Sequence, residues 1–286
     1  MQRADSIGGL SVLHAIILGI VQGLSEFLPI SSSGHLILVP QLLGWNDLAA
    51  DNSLNKSFDV ALHAGTLVAA LWYFRRDVWS YVRAAWDSVR ARSVTTVEQR
   101  MAWLLLLSAI PGAVVGALFA SVIEDKLGDP ILIGINLILF GLLLDWSDRL
   151  AGKRFSDNFR RKDAAIMGIA QALALAPGTS RSGITITAGR FLRFSREGAA
   201  RLSFLMAIPI TGGAVLYKGV ELFGDGGIPP GYGGAFLWGT IAAAVSGFVA
   251  IAVLLKYVRT HSFLPFVIYR VALGVIVIVV FATGLR

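Results

Sequence analysis

The chain has 286 residues, of which 55% are hydrophobic and 15% charged, with a mean hydropathy of +0.69 and a formal net charge of +7. An ordinary soluble domain is excluded, because such domains carry about 25% charged residues. Nucleic acid is excluded as the reason for the positive charge, because the basic residues sit in short loops beside apolar runs, where they set membrane orientation; with no cysteine, disulfides and thiolate metal sites are excluded too.

Residues 1–8 form a short polar start, in which Arg3 is offset by Asp5. No cleaved signal peptide is expected, since the next apolar run leads straight into a functional-looking stretch. Leu10–Phe27 and His35–Gly44 flank a polar knot, Gln22 to His35, that holds one carboxylate, four serines and a histidine. Its second arm is too short to cross ~30 Å of hydrocarbon as a helix, so a re-entrant hairpin is expected. Non-helical backbone at that depth is tolerated only where protein or a watery cavity surrounds it.

A polar loop, Trp45–Ser57, leads into a first full span, Phe58–Phe74, which carries Asp59 and His63 one helical turn apart. Arg75–Arg100 is a basic loop whose Val78–Val89 part reads as a helix lying at the membrane interface, with Trp79, Val82, Trp86 and Val89 on one face. Met101–Ile123 is a second span, expected to kink or split at Pro111-Gly112. Ile131–Leu144 is a third. After a basic loop (145–163), Ala164–Ala176 and Ile184–Phe194 flank a second knot, Pro177-Gly178-Thr179-Ser180-Arg181-Ser182-Gly183. Arg201–Leu222, Ala235–Leu255 and Phe263–Leu285 complete six spans. Arg190 and Arg193 read as interfacial anchors. Ser25, Ser203 and Ser246 read as helix serines bonded to nearby backbone or to a neighbouring helix.

The two knots match at one offset, 149 residues. Gly19-Ile20 falls on Gly168-Ile169, Gln22 on Gln171, Leu24 on Leu173, Ser31 on Ser180, and Ser33-Gly34 on Ser182-Gly183. Lys and Arg are concentrated in loops 75–100, 145–163 and 256–261, which are therefore expected in the cytoplasm. Three spans then separate the hairpins, so the first must enter from outside and the second from the cytoplasm. The expected fold is an all-α polytopic membrane protein: six full spans plus two re-entrant helical hairpins in an inverted-topology repeat. It forms one membrane domain, with repeat halves at about 9–146 and 164–285, and both termini outside.

Each knot should expose a helix N-terminus after its Ser/Gly turn, and such ends attract anions. Ser31, Ser33, Gly34, Ser180, Ser182 and Gly183 are the candidate phosphate-binding positions, and Arg181 adds a fixed charge with the fork geometry a phosphate fits. A serine hydroxyl can serve as nucleophile if Glu26 or His35 takes its proton, and either of those can instead protonate the leaving oxygen. Gln22 and Glu26 share a helix face and can together hold a divalent cation, Mg²⁺ or Ca²⁺, with phosphate oxygens completing the shell. Asp59, His63 and Gln171, the repeat mate of Gln22, are placed behind these groups.

The run Gln22-xxx-Glu26-Phe27-Leu28-Pro29-Ile30-Ser31-Ser32-Ser33-Gly34-His35, taken with Pro177–Gly183, resembles the bacterial undecaprenyl-diphosphate phosphatases of the bacitracin-resistance family. Phe58–Thr66 and Phe266-Val267-Ile268-Tyr269-Arg270 are similar to further segments of that family. The resemblance implies an inner-membrane hydrolase, helped by a divalent cation, that removes the terminal phosphate of undecaprenyl diphosphate at a site facing the periplasm. It implies that undecaprenyl phosphate returns to the cell-wall lipid-carrier cycle and that bacitracin competes for the substrate. A homodimer is compatible with it. The family's acidic motif falls on Gln22 and Glu26; the first is an amide here, which weakens a two-carboxylate metal site. Ser32 becomes the choice of nucleophile, with Glu26 or His35 as its base and Arg181 as phosphate clamp. The alternative is a carrier of a phosphorylated isoprenoid lipid, for which paired broken helices are equally apt.

Overall fold

A computed structural model describes residues 10–45, 52–224, 227–228 and 230–284; side chains at 52–53, 120–126 and 223 are not described. The polar start, both chain termini and the middle of the Trp45–Ser57 loop lie outside the described residues, as do parts of the Phe223–Gly234 loop.

The described residues form α-helices with one isolated bridge and one short 3₁₀ turn at Ser156–Asn158. In order they are α1 (Val12–Phe27), α2 (Ser32–Leu43), α3 (Asn52–Tyr73), α4 (Arg75–Ala91), α5 (Val97–Leu127) and α6 (Pro130–Asp148). Then come α7 (Arg161–Leu173), α8 (Arg181–Phe191), α9 (Arg196–Gly224), α10 (Gly233–Tyr257) and α11 (Leu264–Ala282). Five of them, α5, α6, α9, α10 and α11, contain stretches long and apolar enough to cross a bilayer. A sixth follows if α3 and α4 are counted together, although they are bent by 83°. α3 falls short alone because Asn55, Lys56, Ser57, Asp59 and His63 crowd its first half. The chain is thus a polytopic helical membrane protein with five or six candidate spans.

Local chemistry sets the helix ends. Thr96 and Gln99 form a reciprocal capping box at the start of α5. Asp129 accepts from the amides of Ile131 (2.9 Å) and Leu132 (3.1 Å), with Pro130 at the first helical position of α6. α5 continues through Pro111 without the expected split. Proline removes a single hydrogen bond, and the tight packing of Pro111 against Gly168 of α7 supports the helix there. α4 leaves Trp79, Val82, Trp86 and Val89 exposed along one face.

Small residues let the helices approach closely. A Cβ on Gly19 would stand 2.2 Å from the Gly239 carbonyl oxygen, and one on Gly23 would meet Ser246 Oγ at 2.0 Å and the Ala243 carbonyl at 2.5 Å. α1 is therefore seated backbone-to-backbone on α10. Gly23→Ala is expected to lower the thermal midpoint in detergent by several degrees, the overpacking cost being about 1–3 kcal/mol; an unchanged midpoint would show that α1 has room to shift. Ser25 donates to the Val21 carbonyl (2.5 Å) and Ser246 to that of Ala242 (2.6 Å), while Ser203 pairs with Thr185 (2.6 Å).

One expectation is corrected at the end of the bundle that carries the basic loops. Arg190 is no interfacial anchor: it is buried and donates to the carbonyls of Phe194 (2.6 Å), Leu150 (2.5 Å) and Asp148 (3.0 Å). Both terminal nitrogens are taken up by backbone that folds over the end of α8, and Nε faces Asp148 Oδ1 at 3.3 Å, which a bare sequence cannot show. Asp148 beside it also pairs with Arg196 (2.7 Å) and accepts from the Phe263 amide (3.0 Å).

Candidate active site

The two knots fold into turns of the same kind. Ser31 and Ser180 both have positive φ, 77° and 71°, a conformation uncommon outside glycine. Each caps the helix it precedes: Ser31 Oγ accepts from the Gly34 amide (3.4 Å) and Ser180 Oγ from the Gly183 amide (3.1 Å). Each also lies against the second serine on, Ser31 with Ser33 (3.5 Å) and Ser180 with Ser182 (3.3 Å). Ser182 Oγ donates across to the Leu28 carbonyl (3.0 Å), tying α8 to the first turn.

Between the turns sits Glu26, buried at 6% exposure. Its Oε1 is paired with the Arg181 guanidinium. Its Oε2 accepts from Ser32 Oγ at 2.6 Å and from Gln22 Nε2 at 3.2 Å, and His63 Nε2 stands 3.8 Å away. α1 delivers Gln22 and Glu26 on one face, the first turn of α2 delivers Ser32, the first residue of α8 delivers Arg181, and α3 delivers His63. The remaining terminal nitrogen of Arg181 donates to Thr211 Oγ1 on α9. A buried carboxylate held by an arginine is an expected arrangement at membrane depth, where an unpaired charge is costly. A hydroxyl donating to that carboxylate is the geometry of a nucleophile with its base.

The sequence candidates divide accordingly. Gln22, Glu26, Ser32, Arg181 and His63 come together. His35 does not join them: Nδ1 lies 2.6 Å from the Ser31 carbonyl and Nε2 2.6 Å from the Tyr269 hydroxyl. The carbonyl can only accept, so Nδ1 carries the proton, and a neutral ring then accepts from Tyr269. Asp59 meets His63 through its backbone carbonyl, 2.8 Å from Nδ1. Gln171 turns away to the Ser108 carbonyl on α5 (3.2 Å). Ser31 and Ser180 are buried caps, and Ser182 is engaged with Leu28, whereas Ser33 is half-buried. Gly183 is glycine because a Cβ there would stand 2.7 Å from an Arg270 nitrogen.

Arg270 was not among the sequence candidates for the site. It is fully buried in α11 and donates to the carbonyls of Gly178 (3.0 Å), Thr179 (3.0 Å), Pro29 (3.3 Å), Leu137 (3.1 Å) and Asn136 (3.4 Å). One guanidinium thus joins both turns to α6. A charge in the apolar run 264–282 is itself a functional signal. Thr211 was also missed, and a threonine in a helix carries no such signal.

Among the described residues no group of three or more His, Asp or Glu side chains forms a metal-ligand cluster. Gln22 Oε1 is buried without a hydrogen-bond partner beside Glu26. One carboxylate and one unpartnered amide oxygen fit a cation that arrives with phosphate oxygens and water better than one caged by protein alone.

The sequence profile described as bacitracin resistance protein BacA matches residues 15–276. A protein named undecaprenyl-diphosphatase from Pelobacter propionicus is 47% identical over 278 residues, covering 96% of this chain and 99% of its own length. One of the same name from Gemmatimonas aurantiaca is 47% identical over 277 residues, 96% and 98% of the two chains. Another from Moorella thermoacetica is 45% identical over 274 residues, 95% and 98%.

Proposed function

We propose, since the chain belongs to the bacitracin resistance protein BacA family, that Ser32, Glu26 and Arg181 carry out the hydrolysis for which its relatives are named. The protein is an integral-membrane undecaprenyl-diphosphatase: it converts undecaprenyl diphosphate to undecaprenyl phosphate and phosphate, returning the lipid carrier to use. The observation that carries the catalytic assignment is the 2.6 Å bond from Ser32 Oγ to a carboxylate whose other oxygen is held by Arg181.

Glu26 takes the Ser32 proton as Oγ attacks the terminal phosphorus, and passes it to the undecaprenyl phosphate that leaves as the bond to the bridging oxygen breaks. Ionised again, Glu26 takes a proton from the water that attacks the phosphoserine, and returns it to Ser32 Oγ as phosphate departs, restoring the hydroxyl. Arg181 shifts between Glu26 and the phosphate oxygens, and its charge opposes the charge that spreads over them in the transition state. Thr211 keeps the guanidinium in place when Glu26 lets go. Free amides at the starts of α2 and α8 supply further donors. His35, bonded to Tyr269, fixes the first turn rather than acting as base. A divalent cation would be held by Glu26 and Gln22 and would neutralise phosphate charge.

The finer architecture belongs to the same reading. The 149-residue match, the shared turn geometry and the exchanged packing support an inverted repeat, since α1 lies on α10 as α7 lies on α5. The short helix pairs α1–α2 and α7–α8 are re-entrant hairpins entering from opposite sides. The basic loops face the cytoplasm of the inner membrane, the site opens to the periplasm, and bacitracin competes there for the lipid.

The test is phosphate release from undecaprenyl diphosphate by the purified chain in detergent, with and without Mg²⁺ or Ca²⁺. Release is expected. A folded protein that releases none, yet moves undecaprenyl phosphate across vesicle bilayers, would be a carrier instead.

A further inference from the structure

A basic cavity lies in the loop between α6 and α7, lined by none of the residues around the Glu26–Arg181 pair. A cavity of about 620 Å³ is lined by Ala151, Lys153, Arg154, Asn158, Arg160 and Arg193. Its walls are fixed. Arg154 donates to both carboxylate oxygens of Asp163 (3.1 and 2.5 Å) and to the carbonyls of Leu192 (2.9 Å) and Asn158 (2.8 Å). Its guanidinium also lies 4.2 Å from the centroid of the Phe194 ring. The backbones of Arg154 and Arg193–Ser195 are joined by two hydrogen bonds, 3.1 and 2.8 Å.

Asp163 offsets the charge of Arg154. Among the described residues no carboxylate pairs with the side chains of Lys153, Arg160 or Arg193, and all three are exposed. Arg193 sits at φ 66° with its guanidinium near the Ala151 carbonyl (3.4 Å), which turns it over the cavity. The neighbouring cavity makes a useful contrast. It is lined by Arg149, Arg190, Arg196 and Arg259, but also by Asp148 and Glu197, which pair with three of those arginines. The cavity around Arg160 has no acid in its lining, so its charge is left for a ligand.

The cavity's depth in the molecule indicates the ligand. It lies where α6, a candidate span, and α8 end and α7 begins, and the end of a span is where a bilayer would present its phosphates. Trp146 and Phe191, edge-on at 5.3 Å near the ends of α6 and α8, are exposed, as is Phe155, which follows Arg154 in the chain and lines the neighbouring cavity; such rings belong at the interface between acyl chain and headgroup. We propose that this cavity binds the phosphate of an anionic phospholipid from the surrounding leaflet, with Lys153, Arg160 and Arg193 as its cationic donors and the three rings against its acyl chains. The bound lipid pins the α6–α7 loop against α8.

Native mass spectrometry of the full chain, released from detergent with phosphatidylglycerol or phosphatidylethanolamine, tests the site. Phosphatidylglycerol adducts are expected to persist preferentially, and Arg160→Glu with Arg193→Glu is expected to reduce them by at least about tenfold while phosphate release continues. Lys153→Glu, in a loop position with no hydrogen bond or ion pair to the other described residues, provides an independent variant and should reduce them less. Equal retention of the two lipids, or variants that hold phosphatidylglycerol as wild type does, would overturn the proposal. Displacement of the adduct by millimolar inorganic phosphate, with no headgroup preference, would also overturn it in favour of a free-phosphate site.

Discussion

Glu26→Gln is expected to reduce phosphate release by about 10³-fold or more while leaving most of the protein folded. The substitution keeps the shape and still offers Ser32 an acceptor, but an amide cannot take the proton. Loss of a positioned general base alone removes about 10²–10⁴-fold. Arg181 would lose its counter-charge at the same time, and a partly buried arginine at membrane depth without a carboxylate is costly. The same change should therefore lower the thermal midpoint, and adding Arg181→Met to it should cost less stability than the two single changes summed. Release within tenfold of wild type from folded Glu26→Gln would contradict the assignment of Glu26 as base. Strictly additive stability losses would contradict the pairing.

Arg270→Leu is expected to be the most damaging single change outside the catalytic group. The loop carbonyls of Pro29, Gly178 and Thr179 receive hydrogen bonds from this side chain. Each buried acceptor deprived of a partner costs about 1–3 kcal/mol, and in hydrocarbon no water replaces the donor. Both turns would loosen together, because one side chain holds both. The measurable outcome is a loss of folded, detergent-soluble protein or a large fall in thermal midpoint, with phosphate release falling alongside. Arg270→Lys should recover only part, since a single ammonium cannot span carbonyls from two turns and α6. A well-folded, active Arg270→Leu protein would show that the turns are held by their own caps.

The breaks at Ser31 and Ser180 were visible because Ser/Gly runs interrupt apolar sequence, and glycines three residues on mark where the caps close. The kinship of the two breaks was visible because several identities share one offset. Glu26 stood out because a carboxylate in an apolar run demands a partner, but which partner could not be read: Arg181 is 155 residues away. Proximity in sequence was misleading for His35. Three residues from Ser32, it looked like a base for it, whereas its nitrogens are committed to the Ser31 carbonyl and Tyr269. Arg190 misled for a related reason, since a basic residue near a helix end looks the same whether it reaches lipid phosphates or folds back onto loop carbonyls. Of the kink or split expected at Pro111, the split does not occur, because a helix seated against its neighbours can continue through one missing hydrogen bond.

The central claim is that Ser32, activated by Glu26, attacks the terminal phosphorus. The most direct measurement is the rate of phosphate release by purified Ser32→Ala beside wild type, with undecaprenyl diphosphate in detergent and thermal midpoints recorded for both. Ser32 is half-buried and its side chain bonds Glu26, so the midpoint is expected to stay within a few degrees. The rate is expected to fall on the order of 10⁴-fold, as when a nucleophile that works as a unit with its base is removed. Turnover within tenfold of wild type from an equally stable Ser32→Ala protein would contradict the account and transfer the attack to water.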